Sequence, residues 1–373
     1  MRTALMVLLT LTISLNSIAR GQSIDSDALE FQVQQLRAEL ADLRSRVDGS
    51  GGVLTAGFES ETCTTGVVGC GETGGPCSPV IRIGSGQSKW TLGFEFVFAR
   101  PRLLESFDTI VADFATNTQT LVPLDYDYDL APRISLGYSG TNGTGVRARY
   151  WSYDGESAPT SLVAGPTTRA AATVLTVIFP ATLRTPVPGD VLNVSNSLET
   201  RTLDLEGTYD VRLGETRLVS SIGLRYAELD QRKQANVVSG GAVVQSLDWT
   251  RRFHGLGIVT GVDARRPFKD TGLAFVFRSR AALLHSDKSV HRSVIGDVTP
   301  PANATLPIIA LDDTKESSAV GEVGLGLEYS RQLERANVFA RGMYEGQIWT
   351  GIGTPALGFL GFEGFSAGFG IEY

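Results

Sequence analysis

The sequence predicts an all-β fold, an antiparallel transmembrane β-barrel of about ten strands preceded by a short N-terminal coiled-coil helix. Three observations predict it. The chain begins with a segment that has the features of a secretory signal. Apolar and polar residues then alternate strictly in several segments between residues 89 and 373, as in strands with one apolar face. The connections between these segments are alternately long and short, which is typical of outer-membrane barrels.

Composition narrows the class of protein before any motif is considered. The 373 residues are 42% hydrophobic and 20% charged, with 42 glycines and a mean hydropathy of +0.03. No apolar run of about 20 residues follows the N-terminus, which excludes a protein that crosses a membrane with many helices. The hydrophobic content is too high for a disordered chain. A net charge of −7 argues against nucleic acid as a partner, because phosphates require a basic face.

Residues 1–21 are predicted to be a secretory signal peptide. Arg2 supplies the positive charge, residues 4–15 supply the apolar core, and Ala-Arg-Gly at 19–21 supplies a cleavage site with small residues. The apolar run is too short to span a membrane. We therefore expect the mature chain to begin near Gln22, outside the reducing cytosol.

Residues 25–48 predict a short coiled-coil helix. Apolar residues follow alternating steps of four and three, which places them along one face of a helix, and Gly49 ends it. Because so short a helix is marginal by itself, we expect it to join copies of the chain in the periplasm as a dimer or a trimer. A helix that lies along its own domain is the alternative. The apolar residues are Leu29, Val33, Leu36, Leu40, Leu43 and Val47.

A linker rich in Gly, Thr and Ser is predicted at residues 49–88, and it holds the three cysteines, Cys63, Cys70 and Cys77. In an oxidising compartment two of them could form a disulfide, and the sequence leaves the pairing open. A zinc site is disfavoured, because it would use four ligands at closer spacing and the three histidines lie far away. We expect neither a metal nor a cofactor.

The barrel is predicted over residues 89–373. In residues 90–98, Trp, Leu and Phe occupy every second position, and the alternation recurs up to the C-terminal Tyr373. A soluble β-sandwich would alternate too, but the order of long and short connections favours a barrel. Residues 171–179 could be half of an extra hairpin, which makes twelve strands the alternative. The predicted strands are residues 89–101, 132–140, 144–154, 198–212, 216–231, 248–264, 271–287, 317–332, 335–349 and 362–373. The predicted long loops are residues 102–131, 155–197, 232–247, 288–316 and 350–361.

The predicted strand at 248–264 is less regular than the others. Its apolar residues change parity, from Trp249 and Phe253 to Leu256 and Ile258. A β-bulge shifts the parity of a strand. We therefore expect a bulge near Gly255.

Aromatic residues near strand ends predict the two membrane interfaces. Trp151, Trp249 and Trp349 lie at strand ends beside long loops, which predicts an outer rim. Trp90 and four tyrosines lie at the opposite, periplasmic ends. Aromatic girdles at both interfaces are typical of outer-membrane barrels. The predicted girdle consists of Trp90, Trp151, Trp249, Trp349, Tyr138, Tyr209, Tyr329 and Tyr373.

If the apolar faces contact lipid, charged residues of both signs face the lumen. In a pore, such charges line a water column and set the ion preference. In a narrow barrel they instead form ion pairs that fill the interior, and both interpretations are open at this point. The residues predicted to line the lumen are Glu95, Arg147, Arg149, Asp204, Glu206, Asp210, Arg225, Arg278, Arg280, Glu322, Glu328, Arg341 and Glu345.

Short segments of these strands resemble one known family. Ile134-Ser-Leu-Gly-Tyr138, Gly145-Val-Arg-Ala-Arg-Tyr-Trp151 and Gly324-Leu-Gly-Leu-Glu-Tyr329 resemble, in their order, segments of pore-forming outer membrane proteins related to the Legionella major outer membrane protein, especially planctomycete homologues. The resemblance covers roughly residues 89–373. It implies a barrel in outer-membrane lipid, and it supplies no catalytic residues.

The predicted function is therefore that of a porin, which allows passive passage of ions or small solutes. The alternative is a non-conducting structural or adhesive surface barrel that acts through its long outer loops. An outer-membrane hydrolase would need a histidine with a carboxylate or a serine near the outer rim. His285, Asp287 and His291 are candidates by position, but exposed loop histidines are usually plain surface, and we expect no enzyme.

Overall fold

The computed structural model describes residues 81–83, 88–104, 109–122, 125–174, 181–185, 187–269, 271–297, 308–351 and 359–373. They belong to one compact unit, Pro79–Tyr373. The signal peptide, the coiled-coil helix, most of the linker and the three cysteines lie outside the described residues and stay predictions. In the described part of the chain, no helix is long and apolar enough to cross a membrane.

The described residues form antiparallel strands throughout. The strands are β1 (Ile81–Ile83), β2 (Lys89–Leu104), β3 (Thr109–Asp113), β4 (Thr118–Leu121), β5 (Asp129–Ser139), β6 (Thr144–Glu156), β7 (Thr160–Val163), β8 (Thr168–Val174), β9 (Ala181–Arg184), β10 (Val191–Leu213), β11 (Thr216–Ser239), β12 (Ala242–Pro267), β13 (Leu273–Asp297), β14 (Ile308–Gln332), β15 (Asn337–Thr350) and β16 (Phe359–Glu372). The alternation of apolar and polar residues explains why this sequence favours strands over helices.

Ten of these strands close into a ring: β2, β5, β6 and β10 to β16, in that order. Since β16 pairs with β2, the ring has no open edge, as a membrane-spanning sheet requires. The prediction of ten barrel strands is confirmed. The alternative of twelve is wrong, because β8 and β9 form their hairpin in a separate four-stranded sheet with β3 and β4.

The two ends of the ring differ in their connections. At the turn end lie the short connections 140–143, 214–215, 268–272 and 333–336, and at the loop end lie the connections that carry the four-stranded sheet. The predicted loop at 232–247 is wrong. β11 and β12 continue through it to a two-residue turn at Gly240 and Gly241, whose φ angles of 58° and 85° suit a tight hairpin.

The outer wall of the ring carries an apolar band near the turn end. On β11, the outward side chains of Ile222, Leu224 and Tyr226 are exposed, and charged Glu228 and Asp230 follow them towards the loop end. An exposed apolar band of this kind on a closed barrel is a lipid-facing surface. A tilted strand crosses a membrane in about 10 residues, whereas β11 has 24. The strands therefore continue beyond the band, and we call this part of β10 to β14 the extension.

The expected bulge near Gly255 lies on the neighbouring strand instead. Burial alternates along β12 without interruption, so Trp249 and Phe253 both point into the ring. The register between β12 and β13 shifts because β13 has one extra residue between Ser286 and Ser289, which are both buried. The apolar residues change parity in the sequence because Trp249 and Phe253 lie inside the barrel, whereas Leu256 and Ile258 lie on its outer wall. The strand itself does not change its orientation.

The prediction of an aromatic girdle at the loop end is wrong. Trp151, Trp249 and Trp349 are buried inside the ring, with Trp349 at 0% exposure, because their strand neighbours take the outward positions. Tyr150 and Tyr226 are the exposed aromatic residues at that edge of the apolar band. At the turn end, the predicted girdle residues Trp90, Tyr138, Tyr209, Tyr329 and Tyr373 are exposed.

The close approach of β14 and β15 gives a first testable prediction. A Cβ on Gly326 would lie closer than 3.0 Å to the backbone oxygen of Gly342, whereas a Cβ on Gly342 would meet open space. We expect Gly326→Ala to lower the free energy of unfolding by about 1–3 kcal/mol, the usual range for overpacking. Gly342→Ala is the matched control and should change little. Urea unfolding of the refolded barrel, followed by tryptophan fluorescence, measures both, and equal effects would contradict the close approach.

Candidate functional site

The inside of the ring carries charged side chains from every ring strand near the turn end. All the residues predicted to line the lumen lie there, and each takes part in an ion pair. The central layer, which we call the charged belt, contains arginines and carboxylates in equal number. The charged belt consists of Glu95, Arg133, Arg147, Arg149, Asp204, Glu206, Arg225, Asp263, Arg278, Arg280, Glu322 and Glu345.

Several belt pairs join strands that lie far apart around the ring. Arg149 of β6 and Glu322 of β14 are five strands apart in the ten-strand ring, hence on opposite walls, and their side chains approach to 3.6 Å. Arg278 of β13 donates to Glu95 of β2 at 2.9 Å, four strands away. The belt therefore crosses the lumen and does not merely line it.

Arg225 makes enclosed contacts with two carboxylates of the belt. Its Nε and Nη2 donate to the two carboxylate oxygens of Asp204 at 2.6 and 2.8 Å, and its Nη1 lies 2.6 Å from Glu322. The side chain is 1% exposed. A planar guanidinium suits this site because it can engage one carboxylate with two parallel hydrogen bonds and still reach a second. Buried charges are tolerated when they are paired in this way.

A second group of belt residues shares its partners. Arg147 reaches both Glu206 and Asp263 at 2.7 Å. Arg280 also contacts Glu206, and it lies 3.4 Å from Asp263. Arg278 also lies 3.4 Å from Asp263. Glu206 thus has two arginine partners and Asp263 has three, so removal of one arginine leaves each carboxylate with another. The charges of the belt balance, and the lumen has no excess of either sign at this level.

An apolar layer follows the belt towards the loop end. Phe362 of β16 packs edge-on against Trp151 and Tyr153 of β6, with ring centroids 5.5 and 5.1 Å apart, although the two strands are three places apart in the ring. One cavity between the charged belt and this apolar layer has a volume of about 30 Å³, enough for one or two water molecules. We call the apolar layer itself the apolar plug. Its members include Trp151, Tyr153, Leu198, Leu229, Phe253, Leu284, Trp349, Leu360 and Phe362.

The extension has a packed interior of its own. Trp249 and Leu247 of β12 pack there with residues of β10 and β11. Ala170 of β8 joins this cluster, so the four-stranded sheet covers part of the extension. Arg251 donates to Glu316 at 2.9 Å nearby.

The turn end of the barrel encloses open space. A cavity of about 370 Å³ lies between the charged belt and the turn end, and we call it the vestibule. Most charges of its rim are paired. Lys89 donates to Glu372 at 2.9 Å, and Arg217 lies 2.6 Å from Asp210. Glu328 lies 2.6 Å from both Arg265 and Arg341. The charged residues lining the vestibule rim are Lys89, Asp210, Arg212, Arg217, Arg265, Glu328, Arg341 and Glu372.

Sequence reasoning missed some residues of this site. Arg133 faces the lumen, because its neighbour Ile134 is outward and exposed. The alternation of apolar and polar residues in the sequence could have identified it. Asp263 and Arg265 were hidden by the apparent change of parity earlier in β12. In the residues that the structure covers, no group of three or more His, Cys, Asp and Glu side chains could hold a metal ion.

Comparison with known families gives one match. The family described as the Legionella pneumophila major outer membrane protein precursor matches residues 83–354, more than two thirds of the chain. No curated protein matches the chain. Together with the apolar band on a closed ring, the family match places the barrel in an outer membrane.

Several solved structures match this chain at low sequence identity. The outer membrane protease OmpT from Escherichia coli is similar over 78% of this chain and 98% of its own, at 9% identity and a TM-score of 0.35. The toluene transporter TodX of Pseudomonas putida covers 77% of this chain and 89% of its own, at 10% identity and a TM-score of 0.24. The transport unit of the autotransporter AIDA-I from Escherichia coli covers 78% and 91%, at 10% identity and a TM-score of 0.23.

Proposed function

The chain belongs to the family of the Legionella pneumophila major outer membrane protein, and we propose that it is a surface barrel closed to passive diffusion. We assign the loop end to the cell exterior and the turn end to the periplasm, as in other outer-membrane barrels. The observation that carries the proposal is the contact of Arg149 with Glu322 across the ring, at 3.6 Å. Both side chains come from opposite walls, so their contact leaves no water column between them.

Two features of the lumen support closure. An ion that crosses the charged belt would have to separate arginines from carboxylates inside the barrel, where unpaired charges are costly. The balanced charge of the belt also provides no field that would favour one sign of ion. Beyond the belt, an ion would meet the apolar plug, where Trp349 and Phe253 are fully buried. The two layers act in series.

The extension supports a role at the cell surface. Its outer wall carries exposed ion pairs, with Arg232 and Asp248 at 2.6 Å and Arg252 and Asp230 at 3.1 Å. Exposed pairs of this kind contribute little stability but keep a long sheet soluble beyond the membrane. A rigid, polar sheet that projects from the membrane suits a structural or adhesive barrel.

A porin is the second candidate, and the vestibule favours it. The cavity of about 370 Å³ with a charged rim provides one half of a pathway from the periplasm. Passage of ions or small solutes would then require the belt and the plug to rearrange. Such a protein would conduct only after a conformational change.

Planar-bilayer recording separates the two candidates. We expect the full-length protein, inserted into a planar lipid bilayer, to give no stepwise conductance, because belt and plug both close the lumen. Heat-modifiable migration on gels must first show that the barrel is folded, so that silence is not a failure to fold. Stepwise conductance from the folded wild-type protein would contradict the proposal and favour the porin.

A further inference from the structure

Three side chains with complementary chemistry meet on the outer wall of β13 and β14. The Nδ1 atom of His285 lies 3.0 Å from Oγ of Ser317, and its Nε2 atom lies 3.3 Å from Oδ1 of Asp287. One imidazole thus connects a hydroxyl and a carboxylate. This is the relationship of nucleophile, general base and orienting acid in serine hydrolases, which is recognised by geometry and not by order in the sequence.

The strand pairing itself brings these residues together. His285 and Ser317 are direct cross-strand partners, and Asp287 is two positions from His285 on the same face. The register shift between Ser286 and Ser289 begins next to Asp287. Bulges re-aim side chains and are common beside active sites. Because all three residues lie on β13 and β14, the strand backbones hold them in place more firmly than an irregular loop would.

The site lies at the edge of the apolar band. Leu283, two residues from His285 on the same face, is 69% exposed. Leu256 of β12, the cross-strand partner of His285, is 57% exposed. Lys315 lies on the other side, with its ammonium 4.0 Å from Asp287. The wall therefore carries apolar, nucleophilic and cationic groups in that order. A lipid molecule has its acyl chain, ester and headgroup in the same order.

We propose that Ser317, His285 and Asp287 form a hydrolytic site for acyl esters of lipids in the outer leaflet. The acyl chain lies along Leu256 and Leu283, and Lys315 attracts an anionic headgroup. The shared chemistry is a fatty-acyl ester on a phosphate-bearing lipid, which phospholipids and lipopolysaccharide both supply. The site is on the outer wall, so the proposal does not depend on whether the lumen conducts.

The reaction proceeds by two acyl transfers. Oγ of Ser317 attacks the ester carbonyl carbon while Nδ1 of His285 takes the hydroxyl proton, and the carbon–alkoxide bond then breaks as that proton passes to the leaving alcohol. Water, deprotonated by the same nitrogen, attacks the acyl-serine, and the fatty acid leaves as Ser317 regains its proton. The sum is one ester and one water giving one alcohol and one fatty acid. Asp287 orients the imidazole and stabilises its protonated form.

A second histidine on the same wall provides a matched control. His254 of β12 lies 3.7 Å from Glu228, and the hydroxyl of Tyr226 donates to the same carboxylate at 2.8 Å. This cluster pairs a histidine with a carboxylate at a similar exposure, but its hydroxyl is a phenol bonded to the acid. It should not act as a nucleophile.

The test uses folded full-length protein in two lipid arms, vesicles of phosphatidylethanolamine with phosphatidylglycerol and vesicles that contain lipopolysaccharide. Mass spectrometry measures released fatty acid, and a fluorophosphonate probe followed by peptide mapping identifies the labelled serine. We expect Ser317→Ala to abolish labelling, and Ser317→Ala and His285→Asn to lower release by about 10²–10⁴-fold. His254→Asn should match wild type. The arm that releases fatty acid identifies the lipid source.

Three results would overturn the proposal. The first is no release in either arm together with no labelling of Ser317 in the folded wild-type protein. The second is release that survives Ser317→Ala. The third is an equal loss in His254→Asn, which would indicate a general effect of surface histidines. Heat-modifiable migration of each variant separates a lost reaction from a lost fold, and because all the substituted side chains are exposed, we expect every variant to fold.

Discussion

Replacing Arg225 by alanine is expected to lower the free energy of unfolding by about 3–5 kcal/mol, the range for breaking a buried ion pair. The guanidinium is enclosed between Asp204 and Glu322, and its removal leaves two carboxylates inside the barrel with fewer partners. Asp204 loses both of its hydrogen bonds from Arg225. The cost comes mainly from those uncompensated charges and less from the attraction that is lost.

The matched control for Arg225→Ala is Arg232→Ala on the outer wall of the same strand. Arg232 also makes a two-pronged contact with a carboxylate, Asp248, at 3.2 and 2.6 Å, but its side chain is 52% exposed. Exposed pairs contribute about 0–1 kcal/mol. Urea unfolding in detergent micelles, measured for wild type and both variants, compares the two sites. Similar losses for Arg225→Ala and Arg232→Ala would contradict the enclosed character of the belt.

The ring strands were predictable because lipid and lumen impose opposite requirements on alternate residues. In β2, Leu92, Phe96 and Phe98 face outward and Glu95 faces inward, so the period of two is clear in the sequence. Where outward and inward residues do not differ in polarity, the predicted strand bounds were wrong. β11 was predicted to end at residue 231 but continues to Ser239. Its outward positions there are polar, as at Arg232, and Lys233 interrupts the apolar residues of its inner face.

Most members of the charged belt were predictable, but their arrangement was not. Parity along a single strand shows that Arg149 and Glu322 both face inward. It does not show that they meet, because their contact depends on the diameter of the ring and on the stagger of five intervening pairings. The outward faces of β13 and β14 are a similar case, since Ser317 joins His285 only through the hairpin register. Contacts across strands need the closed sheet.

Opening the lumen is expected to require changes in both layers, and the sign of ion selectivity should then follow the belt residue that is removed. Replacing Trp151 and Phe362 by alanine removes a packed aromatic pair of the plug, whose ring centroids lie 5.5 Å apart. This double variant should stay silent in planar bilayers, because the belt still crosses the lumen. Adding Arg149→Ala or Glu322→Ala removes the contact between opposite walls and should produce stepwise conductance.

The two opened variants should select ions of opposite sign. Since arginines and carboxylates balance in the belt, loss of Arg149 leaves an excess of negative charge and should favour cations. Loss of Glu322 leaves Arg149 and Arg225 with fewer carboxylates and should favour anions. Reversal potentials measured across a potassium chloride gradient report the sign directly, and the expected potentials have opposite signs for the two variants.

Arg252→Ala, in the same plug-deleted background, is the control for a charge change that lies outside the lumen, since Arg252 pairs with Asp230 on the exposed wall. This variant should give no stepwise conductance in the planar bilayer. Reversal potentials of equal sign in the Arg149→Ala and Glu322→Ala variants would mean that ions pass elsewhere. Silence of both variants, with folding shown by gel migration, would mean that the contact between Arg149 and Glu322 is not what closes the barrel. Opposite signs would instead show that closure and selectivity reside in the same ion pair.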